Sequence, residues 1–142
     1  MRNGIGLVCS ALLLASALAR ADLLPEPDRG PPIGSVGGLD FRIEWVDVEM
    51  GPAKGPHYKK RLQVVVLAGC AEEQPNCQLA RDRNLIGMEV QSVDGQHLQP
   101  EKGMVRQILD AFTSKVEPAS VTLELYSRAT NTGPFKIGFS RH

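Results

Sequence analysis

The sequence predicts an α+β fold, a curved antiparallel sheet capped by one main helix and one short helical turn. Three observations point to it. Several short stretches bounded by glycine and proline alternate apolar and polar residues, as half-buried strands do. One stretch, from Glu101 to Lys115, repeats its apolar residues at helical spacing instead. That helix sits inside an otherwise strand-rich order, ahead of a late pair of strands, which is the plan of a sheet covered by a helix.

The chain opens with MRNGIGLVCSALLLASALARA, in which Arg2 is the only charge before an apolar stretch from Ile5 to Leu18, and Ala19 and Ala21 frame an A-x-A site before Asp22. This is the layout of a secretory signal peptide spanning residues 1–21, cleaved near Ala21. A retained anchor or a buried helix is the alternative. The apolar stretch is about 14 residues, short of the roughly 20 a membrane-spanning helix needs, so no membrane span is expected in the mature protein. The expected location is periplasmic or secreted. Cys9 lies inside the apolar region, with Val8 before it where a lipoprotein would want a small residue, and it leaves with the signal.

Arg2 and Arg20 leave too, and no acid does, so 14 basic residues face 16 acidic ones. That balance gives no electrostatic footprint for nucleic acid. Asp22 to Gly38 (DLLPEPDRGPPIGSVGG) holds four prolines and four glycines. Such a composition buries little apolar surface and predicts a disordered leader, 22–38, ahead of a single domain, 39–142.

Phe41 to Glu49 alternates through Phe41, Ile43 and Trp45 and changes phase at Val46 and Val48, which predicts a strand with a bend near Val46. Trp45 shares the face of Phe41 and Ile43 and is expected in the core rather than as a ligand platform. GPAKGPH then makes a turn, and Arg61 to Ala68, apolar on both faces, reads as a central strand. Cys70 and Cys77 flank AEEQPN, read as a surface loop. An even pair in an exported chain predicts a structural disulfide; a redox or metal role is the alternative, although the spacing is not C-x-x-C.

Gln78 to Arg83 predicts one helical turn. Met88 to Val93 reads as a strand, and Asp94-Gly95 signals a tight hairpin. In the helix, Met104, Val105, Ile108, Leu109 and Phe112 share one face. Val121, Leu123 and Leu125, then Phe135, Ile137 and Phe139, alternate about a TNTG turn, predicting a closing hairpin.

Taken together, NLIGMEVQSVDGQHL, the helix from Gly103 to Lys115 and SVTLELYSR resemble the second half of a PDZ domain, while GGLDFRIEWV is similar to its carboxylate-binding loop and following strand, with QVVVLAGC as the next strand. FKIGFSR is similar to the extra strand of many bacterial members. The resemblance covers most of Gly37 to Arg128 and implies a PDZ-like partly open barrel that binds an extended peptide of an envelope or secreted protein partner by β-augmentation. It further implies that backbone N–H groups of Gly38, Leu39, Asp40 and Phe41 hold a terminal carboxylate. Leu39 and Phe41 would line a pocket with Val105 and Ile108, the partner would run beside Phe41, Ile43 and Trp45, and Glu101 would read a residue further along. Asp40 stands where the family has a second loop glycine, which puts a negative side chain near the carboxylate position and favours an internal segment, or no peptide at all, over a free C-terminus. The plain alternative makes Leu39, Phe41, Val105, Ile108 and Phe112 core, and Glu101 a favourable charge at a helix N-terminus.

His57, His97 and His142 are scattered, no serine or cysteine lies in a nucleophile motif, and neither H-E-x-x-H nor a phosphate loop is present. No catalytic set, metal site or cofactor is expected. Two functions follow: a non-catalytic peptide-binding module, or a structural or inhibitory envelope domain whose groove is filled or blocked. The state of the Phe41–Trp45 edge beside the helix discriminates between them.

Overall fold

The computed structural model describes residues 27–49, 59–114 and 119–141; the signal peptide expected at 1–21, the start of the expected leader at 22–26 and the turn expected at 51–57 lie outside the described residues. The chain divides into two compact units. One comprises Met1–Pro25 and Asp47–Leu62; among its described residues, 47–49 and 59–62, Arg61 pairs with Asp47 at 3.9 Å between exposed side chains. The other comprises Glu26–Val46 and Gln63–His142 and carries the main core.

In chain order the elements are β1 (Ile33–Val36), β2 (Leu39–Glu49), β3 (Lys59–Cys70), α1 (Pro75–Asp82), β4 (Glu89–Val93), β5 (Gln96–His97), a 3₁₀ turn (Pro100–Lys102), α2 (Met104–Thr113), β6 (Ser120–Ser127) and β7 (Thr132–Ser140). The strands form one sheet in the order β1-β2-β3-β4-β6-β7, with the short β5 paired to β4. The pairs β1/β2, β3/β4, β4/β5, β4/β6 and β6/β7 are antiparallel. The fold is α+β.

The patterning explains most of the sheet. Val65, Val66 and Leu67 are buried in succession, as a strand with both neighbours in place and both faces covered requires. Val121, Leu123 and Leu125 of β6 are wholly buried and alternate with partly exposed residues. Asp94 and Gly95 both take positive φ, 48° and 82°, the conformation of a type I′ hairpin turn, and the Asp94 carboxylate accepts a 2.9 Å bond from the Thr122 N–H.

Three expectations are corrected, and Phe135 marks where the core stops. Residues 33–36, assigned to a disordered leader, form β1. Trp45, expected in the core, is 44 % exposed, because burial along β2 changes phase near Ile43, with Leu39 and Phe41 covered but Trp45 turned outward. Phe135 is 47 % exposed while Ile137 and Phe139, on the same face of β7, are covered, so the core ends before it. The main helix begins at Met104 rather than Glu101: Gly103, at φ 80°, breaks the chain direction, and Glu101 sits in the exposed 3₁₀ turn before it.

α1 starts earlier than the single turn expected from Gln78. Pro75 opens it, a position where a missing N–H costs nothing, and it takes in Asn76 and Cys77 from the segment read as loop. Cys70 and Cys77 form a disulfide, S–S 2.02 Å, that joins the end of β3 to α1.

Candidate functional site

The groove implied by the sequence lies between the first half of β2 and α2, and the structure fills it with β1. Gly37 and Gly38, both at positive φ (62° and 79°), make a two-residue turn that folds the leader back along β2. Glycine is needed here on two counts. L-residues resist this conformation, and a Cβ on Gly38 would lie 2.4 Å from the Cβ of Gln74. The pairing then runs Val36 to Leu39, Ser35 to Asp40, Gly34 to Phe41 and Ile33 to Arg42. Upstream the Ile43 N–H donates to the Pro32 carbonyl at 2.8 Å.

The other side of the strap is held by α2. A Cβ on Gly34 would stand 2.8 Å from Val105 Cγ1 and 3.0 Å from Leu109 Cδ1, so the bare backbone of β1 packs directly on the helix. Further back, Gly30 and Gly103 approach so closely that a Cβ on either would lie within 2.7 Å of the other's Cα. Asp28 reaches the helix start: its Oδ2 accepts from the Met104 N–H at 2.7 Å and its Oδ1 from the Gly30 N–H at 2.8 Å. A carboxylate at this end also opposes the positive pole of the helix dipole. The Arg29 N–H donates to the Pro100 carbonyl at 2.9 Å. The strap is thus bonded to β2 and to the segment leading into α2.

This arrangement decides where each expected binding residue stands. Leu39, Phe41, Val105 and Ile108 do come together, but at 0 %, 1 %, 0 % and 0 % exposure they form core, with Phe41 and Phe112 tilted against each other at 6.3 Å. Gly38 belongs to the hairpin turn, and Leu39 to Phe41 to a paired strand rather than an open loop. Where a free carboxylate would sit, the chain continues covalently. Asp40 takes a hydrogen bond from the Ser35 hydroxyl at 2.6 Å, so its charge faces a donor on its own strap. Ile43 is half-buried, and Glu101 lies off α2 and exposed.

Three residues that hold the groove shut were not singled out from sequence: Gly34, Asp28 and Asn76. Asn76 is buried in α1. Its amide donates to the Gly37 carbonyl at 2.8 Å and the Ser140 carbonyl at 2.7 Å, and its carbonyl accepts from the Ser140 N–H at 2.9 Å. One side chain therefore ties the β1–β2 turn to the end of β7. The only available signal was local, a polar residue after a proline in a segment that reads as loop.

At another part of the sheet the buried Glu89 of β4 receives a two-pronged bond from Arg128, through Nε at 2.5 Å and Nη2 at 2.8 Å, and Arg128 also stands 5.6 Å from the centroid of the Tyr126 ring. The bond to Glu89 raises the Arg128 pKa above its ordinary value against the opposing effect of burial. Among the described residues no cluster of three or more His, Cys, Asp or Glu could hold a metal ion, and no helix is long and apolar enough to cross a membrane. Compared with family models, curated proteins and solved structures, the chain matches none, which leaves its own geometry as the ground for a functional reading.

Proposed function

We propose that this chain is an exported, non-catalytic PDZ-like domain whose peptide groove is occupied by its own N-terminal strap, so that it acts as a structural or inhibitory envelope domain and not as a receptor for free peptide ends. The observation that carries this reading is β1: an extended segment lying antiparallel on β2 and packed on α2, the two contacts a β-augmenting ligand makes. A competing peptide would have to displace a segment tethered by two residues. Such a short tether holds the strap at a high effective concentration, which no free peptide reaches by mass action.

The test is a C-terminal peptide library screened against the purified protein and against Gly34→Val. Valine at this position collides with Val105 and Leu109 and drives the strap from the helix. The wild-type protein is expected to give no hits. The variant is expected to remain folded and to select peptides with a shared apolar residue. Wild-type hits that shift the amides of Leu39 to Ile43 would overturn the closed-groove reading, and a folded variant that selects nothing would overturn the PDZ-like one.

A further inference from the structure

A second feature shares no residue with the β2–α2 groove. The loop between α1 and β4, the β6–β7 turn and the start of β7 line a cleft of about 720 Å³, a size that holds small organic ligands. Leu85, Ile86, Met88, Phe135 and Ile137 are its apolar lining. Ile86 and Phe135 remain 40 % and 47 % exposed, two of the four large apolar side chains left exposed among the described residues. Nothing stands within 4 Å of where a Cβ on Gly87 would project, so the backbone at this point of the lining is uncovered.

The charges in the lining have one sign. Arg83 and Arg128 are there, and no acid is. Glu89 engages Arg128 through Nε and Nη2 and so fixes the guanidinium while its Nη1 stays outside that fork. A neutral apolar ligand would lie against the Arg83 guanidinium and the Nη1 side of Arg128, whose charge Glu89 balances from the other side, and would take their water with no return. An inorganic anion would leave Ile86 and Phe135 wet. A molecule with an apolar body and a single anionic end satisfies both halves of the cleft.

We propose that this cleft binds an amphipathic monoanion, an apolar body ending in a carboxylate, for which decanoate is the probe. The experiment titrates decanoate, below its micelle concentration, into the purified protein and follows backbone amide shifts and heat. Shifts confined to residues 83–88 and 127–137 are expected, with at least tenfold weaker binding of decanol and none of decyltrimethylammonium. Octanoate is expected to bind about fifteenfold more weakly than decanoate, since it lacks two methylenes and each one buried contributes about fourfold. Arg83→Gln should weaken decanoate about fivefold and leave decanol unchanged, and Phe135→Ser should weaken both. Equal affinity for decanoate and decyltrimethylammonium, shifts outside the cleft, or no binding to the folded protein would overturn the proposal. So would binding at the cleft of a short peptide with an apolar, acidic C-terminus where decanoate does not bind, an outcome that assigns the site to a protein partner.

Discussion

Gly34, Asp28 and Asn76 show how single residues close this fold. Gly34 works by absence, since any side chain would meet Val105 and Leu109. Asp28 supplies the cap that α2 lacks locally: Gly103, at the N-cap position, has no side chain to accept an N–H, and the carboxylate comes from 76 residues away. Asp28→Ala should lose about 1 to 2 kcal/mol in chemical denaturation, the usual range for a lost cap, and should increase hydrogen exchange at Met104. Asn76→Ala removes three part-buried hydrogen bonds, one to the Gly37 carbonyl and two to the backbone of Ser140. A loss of about 2 to 3 kcal/mol is expected from the same measurement. None of these roles was legible in sequence. Each depends on a partner more than 35 residues away or on space that only the folded chain defines, while local reading weighs a residue against its immediate neighbours.

Among the elements, strands whose alternation reflects a buried face were readable. β6, the centre of β3 and the Asp94-Gly95 turn stand where their patterns put them. β1 was hidden because its residues, Ile-Gly-Ser-Val, bury little apolar surface of their own; it is ordered by hydrogen bonds to β2 and by contact with α2, which composition does not record. The helix boundary was misplaced because Glu101 and Lys102 have good helix propensity, yet Gly103 adopts positive φ and the chain turns there. The Glu89–Arg128 pair joins β4 to the β6–β7 turn. Arg128→Leu leaves a buried carboxylate unpaired and should cost about 2 to 3 kcal/mol, scaled down from a fully buried pair because the arginine is partly exposed. The double variant Glu89→Leu, Arg128→Leu should recover most of that loss, and a double-mutant cycle by denaturation reads the coupling directly.

For the whole molecule, the α+β class was legible and the closure of its groove was not. Of the candidate binding residues, Leu39, Phe41, Val105 and Ile108 come together as core beneath β1, while Glu101 stands apart in the exposed 3₁₀ turn. The disulfide acts at this scale as well, fixing α1, and with it Asn76, against the end of β3. Closing a loop of about eight residues is worth roughly 2.5 kcal/mol in the chain-entropy model. Replacing Cys70 and Cys77 together with serine should lower stability by about that amount, and a thiol titration of the unreduced, unfolded protein should find neither cysteine free.

The Gly37-Gly38 turn also sets an order of events. A hairpin closes in about 1 to 10 μs, and β1 pairs with residues at most nine positions away, whereas α2, which packs on the other side of β1, begins more than fifty residues downstream of β2. The β1–β2 hairpin can therefore form before α2 packs on it, although only that packing completes its order. Connectivity thus gives the strap a start over any segment that must arrive by diffusion, because its two-residue turn keeps it beside β2 from the moment that strand forms.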